Sequence, residues 1–270
     1  MRRSTAAKGL YAALALTLVS ACGQEAAPPA ATEPVAEVAA PAVSVYEAAL
    51  NNALRPEADR ERDADRKPAE ILEFLGIMPG MTVLDIFTGD GWYSEVIAYV
   101  VGDTGKVIAH SNEAYKNFVG NALEERFGSG RVSQAEILMA ENNQLALEAD
   151  SLDAVMMSMT FHDIYHADVE NGWEQIDGPA FLAELKNGLK PGGIVAIIDH
   201  RAAAGAPPET GDTLHRIDPA LVIAKMEAAG FVLEAESDLL RNPDDDLSKV
   251  VFAPDIRGKT DRFVLRFRKP

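Results

Sequence analysis

The stretch Val83-Leu84-Asp85-Ile86-Phe87-Thr88-Gly89-Asp90-Gly91-Trp92-Tyr93 decides the fold class. Its apolar first residues predict a buried strand that ends in an acid, and a short loop with two glycines then opens a helix. Glycine allows the backbone to turn sharply and to approach a ligand closely. A helix N-terminus also offers unpaired N–H groups to an anionic group. The stretch therefore predicts a ligand-binding strand–loop–helix unit, although a simple tight turn has the same local signature.

The chain beyond this loop alternates strands and helices. The predicted strands are residues 82–87, 106–110, 132–136, 152–158 and 194–199. The predicted helices between them are residues 91–101, 113–127, 144–149 and 178–189. A helix over 218–229 and a closing antiparallel pair, 231–237 and 262–267, complete the series. This order predicts a doubly wound, mostly parallel, Rossmann-like α/β sheet with a C-terminal antiparallel strand pair.

The residues just before the first strand predict two helices joined by a charged segment. An amphipathic helix is predicted over 45–54, and a helix that Pro68 opens is predicted over 68–75. The segment 56–67 between them is densely charged, which predicts a solvated helical face.

The N-terminus has the pattern of a targeting segment. Arg2, Arg3 and Lys8 precede an apolar run over 10–19, which is too short to span a bilayer stably. Val19-Ser20-Ala21-Cys22 then resembles the bacterial lipobox, in which the cysteine is lipidated. The pattern predicts a lipoprotein signal peptide over 1–21, a disordered Ala/Pro/Glu tether over 22–43 and a folded domain over 44–270. We therefore expect an exported, lipid-anchored protein of the periplasmic cell envelope, the alternative being an ordinary secretory peptide with a chance cysteine.

The charge balance restricts the partners. The chain of 270 residues carries a formal net charge of −17. Because phosphate binding needs clustered Lys and Arg, this balance disfavours nucleic acid and anionic headgroups. We expect a small-molecule or peptidic substrate and membrane contact only through the lipid anchor.

The loop after the first strand, the Leu189-Lys190-Pro191-Gly192-Gly193 turn and the five-strand alternation together resemble the class I S-adenosylmethionine-dependent methyltransferases. A nicotinamide-binding unit would need a third glycine where this helix has Trp92 to Ser94. The resemblance implies S-adenosylmethionine as the cofactor. The residues that it implies at the cofactor site are Asp85, Phe87, Thr88, Gly89, Asp90, Gly91, Tyr93, Ser111, Asn112, Glu136 and Ser158.

Two of these positions depart from the family pattern. Phe87 stands where the family loop usually has glycine, two residues after the acid. Ser111 and Asn112 stand where an acid normally binds both ribose hydroxyls. A neutral group makes a weaker contact there than a carboxylate does.

Two clusters of polar residues follow the fourth and fifth strands. In open α/β sheets, ligands lie over the carboxyl ends of the strands. His162, Asp163 and Tyr165 follow the fourth strand, and His200 and His215 follow the fifth. A histidine beside an acid and a tyrosine suits proton removal from an acceptor, so these five are the candidate catalytic residues. The alternative is that His162 and Asp163 only cap the next helix. Because no histidine pair has the short helical spacing of a known metal motif, no metal site is predicted.

Several motifs around these clusters resemble a bacterial group of exported predicted methyltransferases. They are Phe161-His162-Asp163-Ile164-Tyr165, Asp199-His200-Arg201-Ala202, Leu214-His215-Arg216-Ile217-Asp218, the acidic run 241–246 and Ile256-Arg257-Gly258-Lys259-Thr260-Asp261. The resemblance covers residues 46–270 and implies methyl transfer to an acceptor that it does not identify. An envelope location separates the protein from cytoplasmic S-adenosylmethionine, so a repurposed fold that binds a small ligand or an envelope partner is the alternative. Hydrolysis by the histidines and acids is a third possibility, but no nucleophilic serine elbow supports it.

Overall fold

The core of the structure is a seven-stranded sheet whose strands run in the order β3-β2-β1-β4-β5-β7-β6. A computed structural model describes residues 43–128 and 130–270. The predicted signal peptide, Cys22 and nearly all of the predicted tether lie outside these residues. The strands are β1 (Thr82–Ile86), β2 (Lys106–Ser111), β3 (Ala135–Met139), β4 (Leu152–Ser158), β5 (Leu189–His200), β6 (Val232–Ser237) and β7 (Arg262–Arg268).

Helices precede the sheet and connect its strands. The α-helices are α1 (Val45–Leu50), α2 (Glu57–Arg60), α3 (Asp63–Arg66), α4 (Pro68–Leu75), α5 (Trp92–Val101), α6 (Glu113–Val119), α7 (Ala122–Gly128), α8 (Gly178–Gly188), α9 (Thr210–Leu214) and α10 (Pro219–Ala228). Three 3₁₀ helices cover Gly102–Thr104, Phe161–Tyr165 and Val169–Asn171. Within the described part of the chain, no helix has the length and apolar character needed to cross a membrane.

The sheet is parallel from β1 to β5 and antiparallel at β7, which pairs with β5 on one side and β6 on the other. Both faces are covered. Val83 packs into one apolar cluster with α4 and α5, whereas the next residue, Leu84, packs into a second cluster with α8 and α10. The predicted fold class, a mostly parallel α/β sheet with an antiparallel C-terminal pair, is confirmed.

Several predicted boundaries need correction. The predicted helix over 144–149 is absent, because Ala146 adopts a left-handed φ of 54° that an α-helix cannot contain. The predicted helix over 113–127 is two helices, α6 and α7, which break at Gly120, where φ is 68°. The third strand begins at Ala135 rather than at residue 132, and the first helix ends at Leu50 rather than at residue 54.

The predicted turn at 190–193 lies inside β5. Leu189 already pairs with Leu152, and the register then jumps to Ala154 with Ile194. The residues between form a bulge in which Gly192 has a φ of 79°. The strand therefore begins before the turn that was expected to open it.

The charged segment 56–67 is only in part the solvated helical face that was predicted. It forms the short helices α2 and α3, and Asp59 within it is buried together with the adjacent Arg55. Arg55 makes a bidentate pair with Asp63, both of its N···O distances being 2.7 Å. Arg66 lies over the ring of Trp92, 4.6 Å from the ring centroid. Because these charges are paired or stacked on α5, one side of the segment packs against the start of that helix. Glu57, Glu61, Asp65 and Lys67 are exposed on the other side.

A buried arginine joins this segment to the glycine loop. The side chain of Arg126 on α7 donates to the carboxylates of Asp59 and Glu95 and to the backbone carbonyl of Asp90. Removing one partner from such a buried ionic cluster leaves an uncompensated charge, which costs about 3–5 kcal/mol. The guanidinium therefore fixes the loop after β1 against α2, α5 and α7.

Candidate functional site

A single cleft of about 910 Å³ opens over the carboxyl ends of β1, β4 and β5. The strand order changes direction between β1 and β4, and such a switch point is where open α/β sheets bind ligands. One end of the cleft is formed by the loop after β1, from Thr88 to Asp90; we call it the loop end. The other is formed by His162, Asp163, His200 and His215, and we call it the histidine end.

At the loop end, the carboxylate of Asp85 is buried but lines the cleft. The hydroxyls of Thr88 and Ser94 donate to its Oδ2, at 2.8 Å and 2.6 Å. Burial raises the pKa of Asp85 to about 6, against the lowering effect of these two hydrogen bonds. The fold thus holds a carboxylate that a cationic group in the cleft would stabilise.

The two glycines of the loop after β1, Gly89 and Gly91, lie in different surroundings. Gly89 has a φ of 62°, and a Cβ placed on it would meet no atom within 4 Å, so its backbone faces open space. Gly91 has a φ of 76°, but a Cβ there would lie 2.9 Å from the ring of Phe127. Gly89 therefore leaves room for a ligand, whereas Gly91 lets α7 pack against the loop.

Phe87 forms an aromatic wall at this end. Its φ is 50°, which is a strained conformation for any residue except glycine. The ring stacks on Tyr115, with ring centroids 4.9 Å apart, and lies 5.2 Å from His110. Tyr115 in turn meets Trp173 edge-on. Phe87, Tyr115 and Trp173 all line the cleft.

The predicted ribose-side residues lie outside this wall. Ser111 and Asn112 are buried and do not line the cleft. Asn112 caps α6 by accepting from the backbone N–H of Tyr115, and its amide donates to Asn142. Its polar atoms are thus already engaged in this conformation.

Glu136 is exposed near the start of β3, where it pairs with Lys106 at 2.6 Å, and it does not line the cleft. Asp90 pairs with Arg62 at the cleft rim, at 2.7 Å. Tyr93 is buried and lines the cleft, and burial raises its pKa to about 12.

The end of β4 adds two hydroxyls without partners. Ser158 Oγ and Thr160 Oγ1 are buried and have no hydrogen-bond partner among the described residues, and both residues line the cleft. Burying a hydroxyl without a partner costs about 1–3 kcal/mol. A polar ligand in the cleft could supply the missing partners.

The histidine end is centred on His162. Its Nδ1 lies 2.8 Å from Asp199 Oδ1, and its backbone N–H donates to Asp199 Oδ2 at 2.9 Å. Its Nε2 lies 3.2 Å from Asp163 Oδ1. Burial opposes the charged imidazolium, but Asp199 and Asp163 outweigh it and raise the pKa of His162 to about 9.

The two other predicted histidines remain neutral at pH 7. Burial, together with the neighbouring His162, lowers the pKa of His215 to about 4 and that of His200 well below its usual value. His215 Nδ1 lies 3.3 Å from His162 Nε2, and His200 Nδ1 lies 2.7 Å from Thr260 Oγ1. The structure thus brings His162, Asp163, His200 and His215 together.

Tyr165 does not line the cleft, and Tyr115 takes the place expected for it. The Tyr115 hydroxyl donates to Asp163 Oδ2 at 2.9 Å. Sequence reasoning missed Tyr115, and it placed Asp199 and the cleft-lining His166 in the polar clusters without naming them as candidate catalytic residues. The only signal for Asp199 was its position at the end of the fifth strand, and Tyr115 carried none, since it lies on a helix after β2.

Comparisons with known proteins agree with this geometry. The family described as protein-L-isoaspartate(D-aspartate) O-methyltransferase matches residues 45–169. The ubiquinone/menaquinone biosynthesis C-methyltransferase UbiE of Shewanella oneidensis is 26% identical over 129 residues, 47% of this chain. The match spans 46% of that relative, about half of its length.

Solved structures extend the likeness to most of the chain. A SAM-dependent methyltransferase from Aquifex aeolicus has a TM-score of 0.56 and 26% identity, covering 79% of this chain and 96% of its own. An S-adenosylmethionine-dependent methyltransferase from Mesorhizobium loti shares the fold at 14% identity, with a TM-score of 0.53 and coverage of 77% and 99%. The chain has the class I S-adenosylmethionine-dependent methyltransferase fold. These similarities imply S-adenosylmethionine as its cofactor.

The residues present fit one end of this cofactor. The open backbone at Gly89 and the Asp85 carboxylate suit a group that carries an ammonium, and the hydroxyls of Ser158 and Thr160 have unused hydrogen-bonding capacity. Toward the predicted ribose side, the cleft wall is the stack of Phe87 on Tyr115. The loop end therefore fits the amino-acid part of the cofactor, and the ribose end is where this chain differs from the family pattern.

Proposed function

We propose that this protein is an S-adenosylmethionine-dependent methyltransferase that acts on a small or peptidic acceptor bound at the histidine end of the cleft. One observation carries the proposal: a single cleft runs from the glycine loop to the histidines. A cofactor and an acceptor can thus share one water-restricted space, and positioning is the main requirement for such a transfer. When bound, the cofactor supplies a methyl group activated by its sulfonium charge.

The protein's own residues divide the remaining work. Asp85 and the backbone at Gly89 hold the cofactor's amino-acid end. His162 is held as an imidazolium between Asp199 and Asp163, so it does not accept a proton at pH 7. We assign proton acceptance to His200, which is neutral, lines the cleft and is oriented by Thr260. Burial and the neighbouring cations lower its pKa, so His200 is a weak base suited to an acceptor whose proton is already acidic.

The acceptor atom stays open within this proposal. One matching family is named for O-methylation and the matching relative for C-methylation. The histidine end suits either, because a neutral imidazole can take a proton from a hydroxyl, an amine or an acidic carbon.

Calorimetric titration of the full chain with S-adenosylmethionine and with its demethylated product tests the proposal. We expect both to bind, and we expect Gly89→Val to weaken binding by at least 100-fold because the new side chain fills the open space. Gly192→Val is the matched control. Gly192 also has a positive φ, 79°, and open space around it, but it lies in the β5 bulge.

The control should lose stability as Gly89→Val does and keep full affinity. Failure of the wild type to bind at millimolar concentration would refute the enzyme and favour the ligand-binding alternative. Equal weakening by both variants would refute the assignment of Gly89. His200→Gln should spare cofactor binding and remove turnover once an acceptor is known.

We also propose that the domain is exported and lipid-anchored through Cys22, as a member of the exported methyltransferase group that its motifs resemble. The lipobox-like Val19–Cys22 supports this proposal. Metabolic labelling with an alkyne fatty acid tests it. Wild type should be labelled and recovered with membranes, whereas Cys22→Ser should not be labelled. Labelling of the serine variant would contradict the assignment.

A further inference from the structure

Three ligand atoms converge at the histidine end. His162, Asp163 and His215 each offer one ligand atom, and these three atoms lie within 4.8 Å of one another. The first pair is 3.2 Å apart, and the two histidine nitrogens are 3.3 Å apart. Ligands that sit about 2.0–2.2 Å from one metal ion lie roughly 3.0–3.5 Å from each other. The spacing therefore matches one coordination sphere.

Two of the three ligand residues, His162 and Asp163, are held in place by a hydrogen bond to the side-chain atom that does not face the common point. Asp199 takes His162 Nδ1, which leaves Nε2 directed at the common point. A metal ion bound there would displace the Nε2 proton that His162 carries without metal. Tyr115 donates to Asp163 Oδ2, which leaves Oδ1 directed there. Metal-binding imidazoles and carboxylates are typically held by such outer partners, which fix the ring tautomer and orientation.

The third donor is held at a conformational cost. His215 has a φ of 53°, a left-handed conformation that is uncommon for residues other than glycine, although histidine adopts it more often than most. The next residue, Arg216, is fully buried and paired with Asp245 through two hydrogen bonds of 2.9 Å and 3.0 Å. The strained position persists because its surroundings are fixed, and it brings His215 against His162.

The helix α9 packs closely against the segment that carries His162 and Asp163. A Cβ on Gly211 in α9 would lie 2.7 Å from the His162 carbonyl oxygen. The absence of a side chain thus lets α9, which His215 directly follows, approach the residues that carry the other two donors.

We propose that His162, Asp163 and His215 bind one divalent first-row transition metal ion of the zinc type. Two imidazoles and one carboxylate suit such an ion better than magnesium or calcium, which prefer oxygen ligands. Three protein ligands leave at least one coordination position for a water or a ligand atom. All three residues line the cleft, so that position faces the acceptor space. The inference goes beyond methyl transfer and does not depend on cofactor binding.

The test uses the full chain without a histidine tag, stripped with a chelator and titrated with Zn²⁺ in the absence of S-adenosylmethionine. We expect one ion per chain with a Kd in the micromolar range or below. Co²⁺ should give visible absorption bands of a nitrogen–oxygen site, and Zn²⁺ should displace them. Asp163→Asn and His215→Ala should each weaken Zn²⁺ binding by at least 100-fold.

His166→Ala is the matched control. The His166 ring lies 5.9 Å from that of His215 and its Nδ1 is engaged by Asp212, so it is a neighbouring histidine outside the donor set. We expect this variant to bind Zn²⁺ within about threefold of wild type. Asp199 contacts His162 and the backbone N–H of His200, so Asp199→Asn reaches the donor set through His162. Loss of such an outer partner typically weakens metal binding 10–100-fold.

Thermal unfolding with and without Zn²⁺ shows whether each variant is folded. Zn²⁺ should raise the Tm of wild type and of His166→Ala but not that of His215→Ala. Absence of Zn²⁺ binding to wild type would overturn the proposal. Wild-type affinity in both Asp163→Asn and His215→Ala, or equal loss in His166→Ala, would overturn it too.

Discussion

The two ends of the cleft are built in opposite ways. At the loop end, the carboxylate of Asp85 is bonded to Thr88 and Ser94, residues three and nine positions away in the same strand–loop–helix unit. At the histidine end, His162 meets Asp199 and His215, which are 37 and 53 positions away. The first is made by one local unit with hydroxyl partners, and the second by several separate segments with charged partners. The loop end can therefore stay the same while the histidine end diverges, which agrees with the proposal that the acceptor binds at the histidine end.

The strongest way to break the histidine end is Asp199→Ala. The carboxylate is completely buried against His162, and removing one partner of such a pair costs about 3–5 kcal/mol of unfolding free energy. Urea unfolding at pH 7 in the presence of a chelator measures it. Asp212→Ala is the control, because Asp212 pairs with His166 at 2.7 Å but is half exposed. We expect its cost to stay below about 1 kcal/mol, and equal costs would contradict the contrast.

At the loop end, by contrast, the substitution Asp85→Asn should raise the free energy of unfolding. The folded pKa of Asp85 is raised to about 6 from 3.8, so the folded protein binds the proton more tightly than the unfolded chain. The protonated Asp85 carboxyl therefore contributes its full share of the unfolding free energy below pH 3.8, and this contribution is lost as the pH rises through about 6. At pH 8 the amide should therefore stabilise the fold by about 3 kcal/mol. The gain should shrink steadily toward pH 4, and cofactor affinity should fall.

Asp90→Asn gives the opposite sign for comparison. Burial would raise the pKa of Asp90, but Arg62 and the neighbouring arginines outweigh it and the net shift is downward. Its charge therefore favours folding, and the amide should lower stability at pH 8. Urea unfolding of both variants at pH 8 and at pH 4 measures these changes. If Asp85→Asn were less stable than wild type at pH 8, the ionised carboxylate would be stabilised by the fold.

Tyr115→Phe sharpens the comparison, because Tyr115 belongs to both ends. Its ring stacks on Phe87 and its hydroxyl donates to Asp163. The variant keeps the stack and loses a hydrogen bond to a charged group, which is worth about 1.5–3 kcal/mol. We expect unchanged S-adenosylmethionine affinity and weaker Zn²⁺ affinity in paired titrations. Loss of cofactor affinity would mean that the two ends are not separable.

The smallest effect is expected from Glu136→Gln. Glu136 pairs with Lys106 on the surface of β3, outside the cleft. Cofactor affinity should stay within twofold of wild type, and stability should change by less than about 1 kcal/mol. A larger loss of affinity in the same calorimetric titration would place Glu136 in the cofactor site.

The sequence predicted the sheet and the loop end because both depend on local patterns. Apolar strands alternating with helices determined the sheet class, and Asp85, Gly89 and Gly91 lie within seven residues. The pairing of His162 with Asp199 could not be read in this way, since strand register and loop path decide it. Glu136 was taken as a strand end, but β3 begins three residues later than expected, so Glu136 lies near its start.

The charged segment 56–67 shows a second kind of limit. Its composition is that of a solvated helix, yet Asp59 is buried. Its partner Arg126 lies 67 positions away, and no local pattern indicates such a pair. Composition predicts exposure well only when charged residues lack a long-range partner.

The contact between Arg126 and the glycine loop has a consequence for how this site can vary among descendants. The guanidinium holds the loop through the backbone carbonyl of residue 90, which every amino acid supplies. The side chain at that position pairs with Arg62 at the cleft rim, at 2.7 Å, lies 3.6 Å from Arg126 and accepts from the Trp92 backbone N–H. Substitution at residue 90 therefore alters the charge of the cleft entrance and removes these side-chain contacts, but it leaves the backbone contact to Arg126, so ligand preference can drift at this position while that one anchor of the loop is inherited unchanged.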